Sequence, residues 1–194
     1  MTKSKTILLI GRPGSGKGVQ ARKLKEYLGE DNVVYCYVGD RLRELTTKEG
    51  SFTARMIADK IMGPGNFGPV FIAVWGWADV LIHNVNPEKH VIIDGSPRMP
   101  LEAEVLDEAL RFYDREDAIL IALDIEESVI RDRLARRARG DDHDAAIAMR
   151  IKRYDENLAK IKEYLASSHT LVMHHVDASG TPEEVFEQIK KLIS

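Results

Sequence analysis

The chain contains one cysteine, Cys36, which excludes an internal disulfide and a cysteine-based zinc site. No apolar run approaches the roughly 20 residues that cross a bilayer. Met1-Thr2-Lys3-Ser4-Lys5 leads directly into Thr6–Ile10 and Gly11, too short an apolar run for the core of a signal peptide. Neither sign of charge dominates: 28 Lys+Arg stand against 31 Asp+Glu, for a net charge of -3. That balance excludes the broad basic footprint of nonspecific nucleic-acid binding. Repeats, low-complexity segments and long linkers are missing too. With 44% hydrophobic residues in 194, the chain is too apolar for a disordered class and long enough for one domain with a real core. These features fit a reducing cytoplasm.

Short apolar runs alternate with helical patterns. Ile7–Ile10, Val33–Val38, Val91–Ile93, Ala118–Leu123 and Thr170–Val176 are continuous rather than alternating in hydrophobicity, which predicts strands buried on both faces. Helical patterns cover Gly16–Leu28, Leu101–Tyr113, Glu126–Arg137, Asp144–Leu165 and Pro182–Leu192. The last opens with Thr181 as N-cap and Pro182 at its first position. The order predicts a three-layer α/β/α domain around a five-stranded parallel sheet. Residues 39–90 are mostly helical in pattern, broken at Gly63-Pro64-Gly65 and Gly68-Pro69, and read as a helical insertion.

Gly11-Arg12-Pro13-Gly14-Ser15-Gly16-Lys17 matches GxxxxGK between a strand and a helix. Glycines there turn backbone N–H groups toward an anion, the helix N-terminus adds its dipole, and Lys17 brings a point charge for outer phosphates. Gly18 follows, where the general motif has a magnesium-binding hydroxyl.

Gly11–Gln20 (GRPGSGKGVQ) resembles the GxPGxGKGTQ loop of adenylate kinases, nucleoside monophosphate kinases with the P-loop fold. Val38–Arg43 (VGDRLR) resembles their TGDxLR, and Asp94–Arg98 (DGSPR) their DGFPR. Arg133, Arg137, Arg139-Gly140-Asp141-Asp142 and Arg150 resemble their lid-flanking arginines and R-x-D-D segment. Val176–Gly180 is similar to the loop under the ATP base. The matches keep their order over nearly the whole chain. They imply one P-loop kinase domain over 1–194, with an NMP-binding insertion at about 38–68 and a short lid at 136–143. A zinc-bearing long lid is excluded by length and cysteine count. The implied reaction is reversible transfer of the γ-phosphoryl group of ATP to AMP, dependent on Mg²⁺, by a monomer.

Such a reaction is catalysed mainly by positioning and by charge stabilisation. ATP and a monophosphate together carry about six negative charges, so fixed cations are required, and arginine binds phosphate oxygens bidentately without losing its proton. By the resemblance, Arg43 and Arg98 hold the acceptor phosphate, Arg133 and Arg139 clamp the donor phosphates, and Arg137 and Arg150 meet the phosphoryl group in flight. Arg139 and Arg150 also border the acceptor. The donor site takes in Gly14, Ser15, Gly16, Lys17, Gly18, Val19 and Ala178. The acceptor site takes in Val38, Gly39, Gly68, Gly95 and Glu102. Asp94 holds the water shell of magnesium. Asp141 and Asp142 pair with lid arginines or cap the next helix, Asp40 supports the acceptor loop, and Arg131, Arg136 and Arg153 read as a solvated face.

The chain also departs from the family. Val19 and Val38 stand where threonines are usual, and Ser96 replaces an aromatic residue. Gly65–Trp77 has lost the G-x-x-[VP]-x-D-E pattern; Trp75 and Trp77 there read as packing. Such losses would also suit a nucleotide-binding sensor with weakened catalysis. Glu102 occupies the place of the glutamine that reads adenine. An ionised carboxylate only accepts hydrogen bonds, which suits the N1–H and N2–H₂ of guanine better than adenine N1. Two readings stay open: Glu102 shifts or relaxes acceptor preference toward GMP, or it protonates, turns away or uses water and AMP remains preferred. The histidines show no metal-ligand spacing. Cys36 and Met149 read as core.

Overall fold

The computed structural model describes residues 4–62, 64, 66–137 and 144–194. Five strands, β1 (Thr6–Gly11), β2 (Val33–Tyr37), β3 (His90–Asp94), β4 (Ala118–Asp124) and β5 (Leu171–Asp177), pair in the order β2-β3-β1-β4-β5. Every pairing is parallel, with Leu8 opposite Ile93 and Leu120 at the centre. The expected α/β/α architecture is therefore present.

The helices are α1 (Lys17–Leu28), α2 (Val38–Thr46), α3 (Phe52–Ile57), α4 (Val70–Asn84), α5 (Pro100–Phe112), α6 (Glu127–Arg137), α7 (Asp144–Leu165) and α8 (Pro182–Ile193). Val38 opens α2 rather than closing β2, because the backbone leaves the extended conformation after Tyr37. A π-helical turn, Ala58–Met62, continues α3. The helical segment between β2 and β3 thus holds α2, α3, that turn and α4. At α8 the Thr181 hydroxyl accepts from Glu184 N–H while the Glu184 carboxylate accepts from Thr181 N–H, a reciprocal cap that fixes the start read from sequence.

The inner strands β1, β3 and β4 are buried on both faces, while the edge strand β5 leaves Val172 exposed. Leu8, Ile10, Ile93 and Leu120 pack with α2, α4 and α5 on one side, and Ile7, Leu9, Ile92 and Ile121 with α1, α6 and α8 on the other. Helix α7 joins both: Ile147 and Ile151 enter the second cluster, Tyr154, Ile161 and Leu165 the first.

Two buried polar side chains tie distant segments together. Arg115 donates to Thr6 Oγ1 and to the carbonyls of Asn86 and Lys89 at 3.0, 2.8 and 2.8 Å. Asp107 on α5 accepts from Tyr164 at 2.9 Å and Ser168 at 2.8 Å, and Arg111 lies 3.2 Å away. Asp107→Ala should destabilise the fold by about 3 kcal/mol, since two hydroxyls and an arginine lose a buried carboxylate. Urea unfolding measures this, and a loss below about 0.5 kcal/mol would show that the tie is dispensable.

Met149 lies on the exposed side of α7, 40% accessible, so it is not core. The pattern there is carried by Ile147 and Ile151 instead. Cys36 is core, with its thiol pushed up to about 12 by burial.

Candidate functional site

Where β1 ends, the chain must turn sharply without side chains in the way. A Cβ on Gly11 would lie 2.5 Å from Ser15 Oγ and 2.9 Å from the Leu123 carbonyl. Gly16 has φ 95° and immediately precedes α1, a conformation that would strain any other residue. The Gly16 carbonyl accepts from the N–H groups of Val19 and Gln20. Lys17 Nζ donates to the carbonyls of Gly11 and Arg12 at 2.8 and 3.0 Å and approaches Ser15 Oγ at 3.4 Å. The outer side of the loop is anchored as well. Arg12 meets Asp155 of α7 through two bonds of 2.9 and 2.8 Å and donates to the Ile125 carbonyl at 3.1 Å.

A cleft of about 590 Å³ opens at the carboxyl ends of the strands. That size falls in the range of small-molecule sites. From the expected donor set, Gly14, Gly16, Lys17, Gly18, Val19 and Arg133 line it. From the expected acceptor set, Gly39, Arg43, Gly95 and Arg98 line it, together with Asp94 and Arg150. Thus Lys17, Arg43, Arg98, Arg133 and Arg150, from separate elements, converge on one cavity that Arg22 of α1 also lines, in a chain whose net charge is -3.

These cations are held in place by the protein. Arg43 pairs with Asp40 at 2.5 Å and lies over the Tyr37 ring at 5.3 Å. Arg98 Nε donates to the Gly95 carbonyl at 2.5 Å, and its guanidinium lies 5.8 Å from the Phe67 ring centre. Arg133 reaches the carbonyls of Gly180 and Ser179 at 3.3 and 3.5 Å, linking α6 to the loop after β5.

Asp94 closes β3 and is only 2% exposed. Burial pushes its carboxyl above the usual carboxylate range, while Lys17, the Tyr35 O–H and Arg98 pull the other way. Tyr35 donates to Oδ2 at 3.1 Å, and Oδ1 is buried with no hydrogen-bond partner. A Cβ on Gly18 would lie 3.8 Å from Oδ2, so the carboxylate faces the start of α1. A buried carboxylate that faces the phosphate loop and has hydrogen-bonding capacity to spare fits the water shell of a hard divalent cation. Among the described residues no cluster of three or more His, Cys, Asp and Glu could hold a metal directly.

Several expected site residues do not line the cleft. Ser15 is buried beneath the loop, and Ala178 is buried with its N–H donating to the Asp124 carbonyl at 2.8 Å. Gly68 packs toward Ile61, where a Cβ would come within 3.1 Å. Val38 is turned into the core against Gly76, which a Cβ would bring to 3.0 Å from Val38 Cγ1. Arg139, Asp141 and Asp142 lie outside the described residues, as does the side chain of Arg137.

Glu102 does not line the cleft either. It is 0% exposed and faces inward from the first turn of α5. Its Oε2 accepts from the Arg98 backbone N–H at 2.7 Å. The Ser96 hydroxyl and the Trp77 indole N–H face the carboxyl, although neither meets strict hydrogen-bond geometry and Oε1 stays unpaired. Burial pushes the Glu102 carboxyl upward, opposed by the Arg98 N–H. Departures read separately from the sequence, at Ser96, Trp77 and Glu102, therefore meet at one point behind the cleft. Trp75 packs under Arg41, 4.9 Å from ring centre to guanidinium, and Arg41 also pairs with Asp79.

Tyr35 and Tyr37 line the cleft and were not among the residues the sequence singled out. Val33–Val38 reads as a uniformly apolar run, yet Val34 and Cys36 alternate with the two tyrosines in burial. Two polar-tipped aromatics two residues apart were the available signal.

The adenylate kinase family model matches residues 9–170. The adenylate kinase of Stenotrophomonas maltophilia (strain R551-3) is 31% identical over 187 residues, covering 94% of this chain and 96% of that protein. The adenylate kinase of Mycobacterium tuberculosis (strain ATCC 25618 / H37Rv) is 32% identical over 180 residues, covering 93% and 94%. That of Helicobacter hepaticus (strain ATCC 51449 / 3B1) is 32% identical over 191 residues, covering 97% of each.

Proposed function

This chain belongs to the adenylate kinase family and is a phosphotransferase, and from that premise we propose that it transfers the γ-phosphoryl group of ATP reversibly to AMP, giving two ADP. The observation that carries the reading is the convergence of Lys17, Arg43, Arg98, Arg133 and Arg150 on one cleft beside the phosphate loop. Lys17 and the loop's N–H groups bind the donor phosphates, with Arg133 on the donor side. Arg43 and Arg98 hold the acceptor phosphate. Arg150, with Arg137 and Arg139, neutralises the charge on the transferring group, where fixed cations stabilise the transition state most. Asp94 would hold Mg²⁺ through water. That ion, when bound, neutralises phosphate charge. The insertion at about 38–68 and the lid at 136–143 close over both substrates and exclude water, which would otherwise take the phosphoryl group. The enzyme acts as a monomer in the cytoplasm.

With Glu102 turned inward, its own carboxylate is not offered to a guanine base, and AMP remains the acceptor of this reading. A coupled assay of ADP formation from ATP with AMP, and in parallel with GMP, tests it. The expected result is Mg²⁺-dependent turnover with AMP as the better acceptor. No ADP from AMP would overturn the reading, and preference for GMP would overturn the acceptor assignment.

A further inference from the structure

On β2 the two tyrosines that line the cleft serve different partners. Tyr37 lies under Arg43. Tyr35 turns its O–H to Asp94 Oδ2 at 3.1 Å. The strands are in register so that Tyr37, not Tyr35, sits opposite Asp94. Tyr35 therefore reaches diagonally, from its place opposite Ile92, toward the end of β3. Lys25 lies 5.4 Å from the centre of the Tyr35 ring.

The bond matters because of where the carboxylate lies. Asp94 is 2% exposed and has few partners. A hydroxyl that donates to one carboxylate oxygen fixes the orientation of the whole group. Oδ1 is buried without a hydrogen-bond partner, and Oδ2, the oxygen that Tyr35 holds, is the one turned toward the start of α1.

We propose that Tyr35 is a positioning residue for the Mg²⁺ site: its hydroxyl holds Asp94 Oδ2 and so fixes the carboxylate in the orientation that faces the start of α1, where the water shell of the ion would meet it. This rests on the Mg²⁺-dependent reading above. Outer-shell partners of metal-binding carboxylates change metal affinity by about 10- to 100-fold when removed. The geometry makes Tyr35 such a partner, reaching Asp94 from the adjacent strand.

The test uses the full chain with a non-hydrolysable ATP analogue and Mn²⁺ as the probe, bound metal being read by electron paramagnetic resonance. It needs neither AMP nor turnover, so failure of the acceptor reading would leave it unaffected. Tyr35→Phe should weaken Mn²⁺ binding to the enzyme–analogue complex by about tenfold or more. Its affinity for the metal-free analogue should match that of the parent. Unchanged Mn²⁺ affinity would overturn the proposal. So would an equal loss of Mn²⁺ and metal-free analogue binding, which would mark a general role in shaping the cleft. If Tyr35→Phe does not fold, Tyr35→Gln and Tyr35→Leu take its place. The glutamine amide can donate to Asp94 and should bind Mn²⁺ more tightly than the leucine variant; equal binding by the two would overturn the proposal.

Discussion

Lys17→Met is expected to cut kcat/KM by about 10³-fold while leaving the unfolding midpoint close to that of the parent. Methionine keeps an unbranched stem but removes the ammonium. In the structure that group donates to the carbonyls of Gly11 and Arg12 and approaches Ser15 Oγ. All three lie in the phosphate loop, so the loop loses an internal brace as well as a charge. Lys17→Arg should restore little. A planar fork cannot reproduce a compact charge that meets two carbonyls and a hydroxyl at once. The coupled ADP assay gives the rates, and thermal unfolding checks the fold. Turnover of Lys17→Met within tenfold of the parent would remove Lys17 from the proposed site.

Arg98→Ala is expected to lower kcat/KM for AMP by about 10²-fold or more and to leave the affinity for ATP unchanged. The argument is geometric. Nε donates to the Gly95 carbonyl, and a Cβ on Gly95 would come within 2.9 Å of Nη2. The guanidinium is therefore seated directly on the DGSPR turn, with Phe67 nearby. The turn is itself held from behind, where Glu102 accepts from the Arg98 N–H. An arginine fixed this way has paid its ordering entropy before a phosphate arrives, which favours a large kinetic role. Steady-state kinetics with AMP varied, alongside titration with ATP, separates the two halves of the cleft. A loss of ATP affinity equal to the loss for AMP would show that Arg98 does not act on the acceptor side.

The phosphate loop was legible because its chemistry is local. Glycine spacing, the strand before it and the helix after it all lie in one continuous stretch, Thr6–Leu28. The parallel sheet was legible from strands that are apolar on both faces, as Ile7–Ile10 is. What the sequence could not supply was side-chain direction. Position in a motif placed Glu102 near the acceptor, but whether its carboxyl faces the cleft or the core depends on its neighbours in space. Trp77 and Ser96 lie 25 and 6 residues away in the chain, and both turn toward it. Val38 misleads for the same reason, since Gly76 leaves a hollow that it fills. Tyr35 was hidden in an apolar run because a strand's two faces are read together unless alternation is sought. Met149 shows the converse, an apolar residue on the wet side of a long helix.

The sheet acts as a partition. Leu8 and Ile10 answer to the side that carries α2 and α4, Ile7 and Leu9 to the side that carries α1, α6 and α8. A void at Leu8 would thus loosen the walls around the proposed acceptor site and a void at Leu9 those around the proposed donor site, although the two residues adjoin in one strand. Among the helices with described clusters, α7 is rooted in both compartments. It also carries Asp155, which grips Arg12 of the phosphate loop, and Arg150, which reaches the cleft. A small turn of that one rod would be felt on both sides of the wall at once, giving the two half-sites a common axle that the strands between them cannot provide.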